Sequence, residues 1–577
     1  MKKRILATLV AALMVLSLFS ACGETTSESS SEASTSSTAS TESEASSDNS
    51  GSTVSTSSSS EEDVAWSPYG KYEETVELHT AKRSSSAPKL LPGDTVDDNP
   101  MTRYVLDTVN VKTVTDWEAE TSEFTNKLAL MMTSDSLPDY FTLGTSDYLM
   151  FQQLMDNGML ADLTEVYDKV MNDHLKSTVD SYDGRSLEPF TVDGKLYGIA
   201  GGQYAYEHNI LWLRQDWLDQ VGITELPETI EDIENILVAF KEAGLGIGLG
   251  LHYQDVAGGY SSAYSADPVF RAFGAMPKMW VENEDGEVIY GSVDPRVKEG
   301  LAVLADWYQK GLIDPQFATR TAAGSQDALV TGGEIGAFFA PWWITYNISD
   351  LPANDPDSDL VPVNAPLDSE GKFNVGGPAP AGEVLVVSKN CEHPEAVAKV
   401  FNCEFDMWLG LDQEGADLIE ETRDNGVSWT YLFPTSGVNF TYNTVVPDVG
   451  LLCKNLIENG VEEGVPTATE QDKIMARMAK EYADTGDLTT GGWAEYYGRY
   501  KASNILNVPE VNMVMPAYSY TTDSMANLKP NLDTLERTTF LQIVMGEQPV
   551  DAFDQFVEDW YAQGGQTMTD EVRAMVG

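Results

Sequence analysis

Aromatic and carboxylate side chains carry most of the chemistry open to this chain. Its 577 residues include 12 Trp, 25 Tyr and 91 Asp or Glu. A carboxylate pair could hydrolyse a glycoside, but at this abundance pairs arise by chance and mark no site. No G-x-S-x-G nucleophile elbow occurs. No H-E-x-x-H occurs either, and His79, His174, His208, His252 and His393 lack metal-ligand spacing. The glycines of 244–250 fit neither a dinucleotide fingerprint nor a phosphate loop, and read as a buried strand. Asp355, Asp357 and Asp359 alternate like a calcium loop, but Pro356 and Pro366 (the twelfth position) break the pattern. They read as a surface turn. No cofactor is expected, with a structural calcium elsewhere left open. The residues point to recognition rather than catalysis. Trp280 lies in a loop after Phe273-Gly274, and Trp429 and Tyr431 lie in another aromatic loop. Residues 332–343 read as a glycine turn, an apolar strand and then Pro341-Trp342-Trp343 at the strand's carboxyl end, where open α/β sheets place ligands. Flat rings beside carboxylates, amides and arginines suit a sugar, with its C–H faces and rim of hydroxyls.

The rest of the composition sets the surroundings. Lys and Arg number 35, so the net charge is −56, which argues against nucleic acid as a partner. Hydrophobic content of 42% belongs to a folded protein, and the length suggests more than one lobe. Lys2, Lys3 and Arg4 precede an apolar run, Ile5 to Phe19, too short to span a bilayer comfortably. Phe19-Ser20-Ala21-Cys22 resembles a bacterial lipobox, which implies cleavage before Cys22 and lipid attachment to its sulfur. Ordinary secretion with an incidental cysteine is the alternative. Residues 23–62 contain 25 Ser or Thr, eight carboxylates and no Lys or Arg. That composition makes a flexible tether, about 35 Å end to end on square-root scaling. The cysteines beyond Cys22 are Cys391, Cys403 and Cys453. Cys403 reads as a buried thiol, and a Cys391–Cys403 disulfide stays open.

From Trp66 onward the chain alternates short β-branched runs with amphipathic helices, an α/β pattern. Residues 75–79 read as the first strand, 118–132 as a helix and 137–142 as a turn entering a strand. Thr229 to Asp232 resembles a capping box ahead of Ile233, Ile236, Leu237 and Phe240. Asp294-Pro295 opens a helix that Gly311 ends. Residues 550–563 read as the last helix, stopped by Gly564-Gly565.

Four segments then resemble one family in order. They are Asp193-Gly194-Lys195-Leu196-Tyr197-Gly198-Ile199, Leu211-Trp212-Leu213-Arg214-Gln215-Asp216-Trp217-Leu218 through Gly222, Trp307-Tyr308-Gln309-Lys310-Gly311-Leu312-Ile313-Asp314-Pro315, and Phe540 through Trp560. They resemble the large lipoprotein solute-binding subunits of carbohydrate ABC importers, of the maltose-binding-protein type. The resemblance implies a two-lobed type II periplasmic-binding-protein fold, each lobe a mixed sheet flanked by helices, with ligand in the cleft between. It implies a signal peptide over 1–21, lipidated Cys22 and linker over 22–65, first-lobe segments over 66–205 and 379–505, and second-lobe segments over 206–378 and 506–577. Crossings are expected near 203–207, 378–388 and about 500–520. The resemblance assigns sugar stacking to Trp342, with Trp343 as alternate, and places Asp147 in a ligand-contacting loop and Tyr204 and Tyr206 beside the first crossing. Trp212 and Arg214, inside a family-like segment, are further candidates, although a strand tryptophan is ordinarily core. The implied protein is a monomer lipid-anchored on the outer face of the cytoplasmic membrane. It hands a carbohydrate to membrane permease subunits and performs no reaction. A peptide carrier, a surface glycosidase or esterase, and a sugar sensor or adhesin are the alternatives.

Overall fold

The strand Val76–Arg83 belongs to the first and larger of the two main sheets, which has five strands. A computed structural model describes residues 61–576 other than 85–88, 253–255, 284, 321–323, 412–414, 416, 419–432, 434, 436–437 and 439–440. Val76–Arg83 pairs in parallel with Val111–Ala119 and with Tyr140–Leu143. Val384–Val387 adds antiparallel to Tyr140–Leu143, and Ile199–Ala200 forms the edge. The runs Tyr140–Leu143 and Val384–Val387 are buried throughout, as strands covered on both faces must be. Helices Pro100–Val109, Asp173–Asp180 and Pro394–Leu409 cover one face through Val105, Leu175 and Phe401. Thr121–Thr133 and Tyr148–Asp156 cover the other through Phe124, Leu128 and Phe151. The expected helix from 118 begins later because Glu118 and Ala119 finish a strand.

The second sheet centres on Ile210–Arg214, flanked antiparallel by Ala337–Ala340 and Leu360–Val363. All five residues of its central strand are buried, and the two-residue period sorts them. Leu211 and Leu213 enter a core with Phe240, Leu301 and Phe540. Ile210 and Trp212 enter another with Phe338, Trp493 and Tyr497. The capping box of the helix Ile230–Glu242 forms as expected between Thr229 and Asp232.

Three sequence expectations fail here for identifiable reasons. Residues 244–250 form no strand, because Gly244, Gly246 and Gly248 take φ of 72, 66 and 114, outside the pleated region. They make only the isolated bridges Leu249–Ile313 and Gly250–Phe338. The helix before Gly564-Gly565 is not the last. Gly564 turns the backbone at φ 124, and a further helix, Gln566–Val576, buries Met568 and Val572. The passage from the first sheet's side to the second, expected near 500–520, comes earlier, near 443–445. Tyr442 and Asn443 still bond Ser177 and Ser181 on a first-sheet helix, whereas Val445 and Val446 already pack in the second-sheet core. Helices Val445–Asn459 and Glu470–Thr485 and the stretch Gly492–Ile505 follow on that side. The ribbon Phe373–Gly376 with Val511–Val514 joins them. Among the described residues Cys391, Cys403 and Cys453 are free thiols, so the Cys391–Cys403 disulfide does not form.

Candidate functional site

The strand Ala337–Ala340 ends in Pro341, and the two tryptophans follow at its carboxyl end. They line a cavity of about 300 Å³ together with Tyr204, Glu207, Gln471, Asp472 and Arg499, with Leu409 and Thr441 at its border. Trp342 is only 6% exposed. The Arg499 guanidinium lies over its ring at 3.8 Å, and Tyr346 meets it edge-on at 5.9 Å. With one face and one edge occupied, Trp342 is a built-in wall rather than a free plate. Trp343 is half-buried and lines the same cavity. Its indole N–H donates to Ser261 Oγ at 3.0 Å, and that hydroxyl donates to Glu207 Oε2 at 3.4 Å. The ring's attitude is therefore coupled to the carboxylate. Tyr260 completes the frame by donating to the Tyr204 carbonyl while accepting from the Glu207 backbone N–H at 2.9 Å.

Arg499 reaches Trp342 from a π-helical stretch, Tyr496–Ala502. Such wide turns recur at functional sites. Gly498 lets that stretch approach closely: a Cβ there would lie 2.6 Å from Thr345 Oγ1 and 3.0 Å from the Trp342 carbonyl. Burial works against the Arg499 charge, but Tyr346, Glu495 and Asp472 more than offset it and hold the guanidinium above its usual range. Burial pushes the Glu207 carboxyl up to about 7, against the opposing pull of Ser261 and Arg499. Burial likewise raises Asp472, whose Oδ2 accepts from the Thr469 backbone and hydroxyl at the start of its helix. The cavity thus offers rings, two carboxylates, an amide and one guanidinium, a set suited to polar ring-shaped ligands.

The structure brings Trp342, Trp343 and Tyr204 together and distributes the other expected residues elsewhere. Tyr206, half-buried at φ 65, packs against the second-sheet core beside this site. Asp147 belongs to the first sheet's side. It is ion-paired with Arg83 and accepts the Gly144 N–H at 2.9 Å, which makes it a loop-stabilising carboxylate. Its neighbour Tyr148 instead meets Tyr520, a residue of the segment leading into Asp523–Val544, at 4.5 Å between centroids. Trp280 is no loop residue: it lies in the strand Trp280–Glu282, 5% exposed, against Tyr290 and Trp560. Trp212 is fully buried, stacked on Phe338 and donating to the Ala340 carbonyl at 3.1 Å. Arg214 is 2% exposed and bound to Asp216 and Asp355, so it ties loops together. Trp429, Tyr431 and Cys22 lie outside the described residues. Of the alternating aspartates, Asp355 pairs with Arg214 and Asp359 with Lys501. Among the described residues no group of three or more His, Cys, Asp or Glu could hold a metal ion. Sequence reasoning missed Glu207, Gln471, Asp472 and Arg499. Glu207 lay within the crossing already singled out for Tyr204, and Arg499 lay in the aromatic run Trp493 to Tyr500.

Residues 104–403 match the bacterial extracellular solute-binding protein family. This chain belongs to that family. LipO, a lipoprotein of Bacillus subtilis, is 21% identical over 85% of this chain and 91% of its own. The fructooligosaccharide ABC transporter substrate-binding protein FusA of Streptococcus pneumoniae is 23% identical over 50% of this chain, and the match spans 55% of FusA. A solved structure of FusA, an EF-hand mutant in complex with fructo-nystose, superposes with a TM-score of 0.56 at 16% identity, covering 87% of this chain and 98% of that one. The fold of two helix-flanked sheets is therefore that of the solute-binding proteins. Among the described residues no helix is long and apolar enough to cross a membrane.

Proposed function

We propose that this protein is the lipid-anchored substrate-binding subunit of an ABC importer that captures an oligosaccharide between its two lobes. The observation that carries the reading is the cavity at the end of Ala337–Ala340, where Trp343 stands half-buried beside Tyr204, Glu207 and Gln471. FusA, named for fructooligosaccharides, supports the ligand class, and LipO supports the anchor at Cys22. In this reading the first lobe comprises 66–205 and 379 to about 443, and the second comprises 206–378 and the chain from 445 onward. Trp343 is the stacking plate and Trp342 its wall. Ligand bridges the lobes, and the closed form is selected because only it makes both sets of contacts. The closed complex docks on permease subunits, which supply the ATP chemistry, and this chain carries no chemical step.

Thermal-shift screening against neutral and acidic oligosaccharides tests the reading. A ligand at a hundred times its Kd stabilises by about 2.7 kcal/mol. Stabilisation by at least one oligosaccharide, with no cleavage product after prolonged incubation, is expected. Turnover, or a flat response across the panel, would reject it.

A further inference from the structure

We propose that the Trp343 cavity is built for an uncharged glycan and turns away uronate-bearing ones, with Glu207 as the specificity-determining residue. The inference rests on the oligosaccharide reading above and narrows it. Its basis is the balance of donors and acceptors among the lining groups. Glu207 and Asp472 present carboxylates, and the buried Gln471 Oε1 has no hydrogen-bond partner among the described residues. On the donor side, the indole N–H of Trp342, a residue only 6% exposed, also has no partner among them. A neutral sugar hydroxyl satisfies both kinds, since it donates to a carboxylate or amide oxygen and accepts from an N–H. The ionised carboxylate of a uronate accepts only, so the carboxylates and the amide oxygen of the lining give it nothing to bond.

Recognition of a carboxylate normally uses a free arginine fork. Among the described residues Arg499 is the one cation lining the cavity. Its guanidinium lies over the Trp342 ring at 3.8 Å, with Glu495 Oε2 3.8 Å from its Nε, and Glu495 in turn accepts from the Tyr346 hydroxyl at 3.0 Å. Its charge is already shared with Glu495, Tyr346 and Asp472. A ligand carboxylate would therefore add negative charge to a cluster in which the carboxylates of Glu207, Asp472 and Glu495 already outnumber the Arg499 guanidinium. The net charge of −56 adds a repulsive field at longer range.

The test is calorimetric titration at pH 7.5 with neutral tri- and tetrasaccharides of fructose, glucose and xylose, and with galacturonate and mannuronate trimers. The tightest neutral sugar is then compared with its own C6-carboxyl derivative. We expect the neutral member to bind at least about 10-fold tighter, which is about 1.4 kcal/mol. Glu207→Gln should narrow that ratio about fivefold, and Gln471→Glu, which adds a carboxylate to the lining, should widen it. The ratio, unlike the affinity itself, does not follow a general loss of stability, and the second variant decides the matter if the first folds poorly. An oligouronate bound more tightly than every neutral sugar would overturn the charge selectivity and leave the oligosaccharide reading standing. Failure of every saccharide would overturn both. An unchanged ratio in both variants would remove Glu207 from its role.

Discussion

Replacing each of the paired tryptophans by alanine separates the wall of the site from its plate. Trp342 is 6% exposed and carries Arg499 on its face, so Trp342→Ala opens a cavity and strips a buried guanidinium of its platform. Truncating a buried Trp costs about 3–5 kcal/mol. With an unfolding entropy of about 2.1 cal/mol/K per residue over roughly 500 folded residues, that loss lowers Tm by about 3–5 °C. Trp343 is half-buried, so its truncation removes less apolar burial, about 1.5–2.5 kcal/mol. Its larger effect falls on ligand: a central aromatic anchor is worth about 2 kcal/mol or more, roughly 30-fold in Kd. Trp343→Phe keeps a ring but loses the N–H donated to Ser261, and should retain most of the affinity. Calorimetric titration with the tightest oligosaccharide from the screen, and differential scanning calorimetry without ligand, read the two quantities separately. Wild-type Kd in Trp343→Ala, or wild-type Tm in Trp342→Ala, would refute the division of roles.

Two further predictions concern the scaffold. Glu207, Glu383 and Glu536 are each pushed up to about 7, chiefly by burial. Unfolded glutamates titrate at about 4.3, so between there and roughly pH 7 the unfolded chain sheds protons that the native state keeps, and stability falls as pH rises through that window. The protein should melt higher at pH 5 than at pH 8, and the triple Glu→Gln variant should flatten the profile. An equal or higher Tm at pH 8 in the wild type would contradict the assignment. Gly564→Ala should cost about 1–3 kcal/mol, because φ 124 strains any L side chain and its Cβ would lie 2.6 Å from Leu528 Cδ1. A denaturant titration in which this variant matches wild type would refute that account.

What the sequence could carry depended on whether a signal was local. The capping box at Thr229 and Asp232 was readable because both partners lie within four residues. The Pro341-Trp342-Trp343 motif was readable because strand and turn are contiguous. Residues 244–250 misled because alternating glycine and leucine copies a strand's period, while the conformation is set by glycine's freedom at positive φ. Trp212 looked functional by its residue type, yet its place in the central strand sends it into the core with Phe338. Arg499 was invisible for a different reason. Its role exists only because a π-helical turn brings it under a tryptophan more than 150 residues away in the chain. No periodicity encodes that encounter.

The arrangement of the site also gives an order to ligand capture under the proposed reading. Trp343, Ser261, Glu207 and Tyr260 are held to one another by hydrogen bonds that involve no first-sheet residue. Trp342 is fixed from behind by Arg499 and Gly498, on the same side. That half of the site keeps most of its shape when the lobes separate, because the one bond of this frame that leads to the other lobe, from Tyr260 to the Tyr204 carbonyl, lies at the crossing itself. Leu409 closes the helix Pro394–Leu409, which packs on the first sheet, and Thr441 lies just before the crossing into Val445. These border residues belong to the part of the molecule that must move. A ligand therefore has a pre-organised surface on the second lobe to land on, and its entropic cost of binding is reduced there. Contacts from the other side form on closure, and their free energy, rather than that of the first encounter, sets how long the ligand stays.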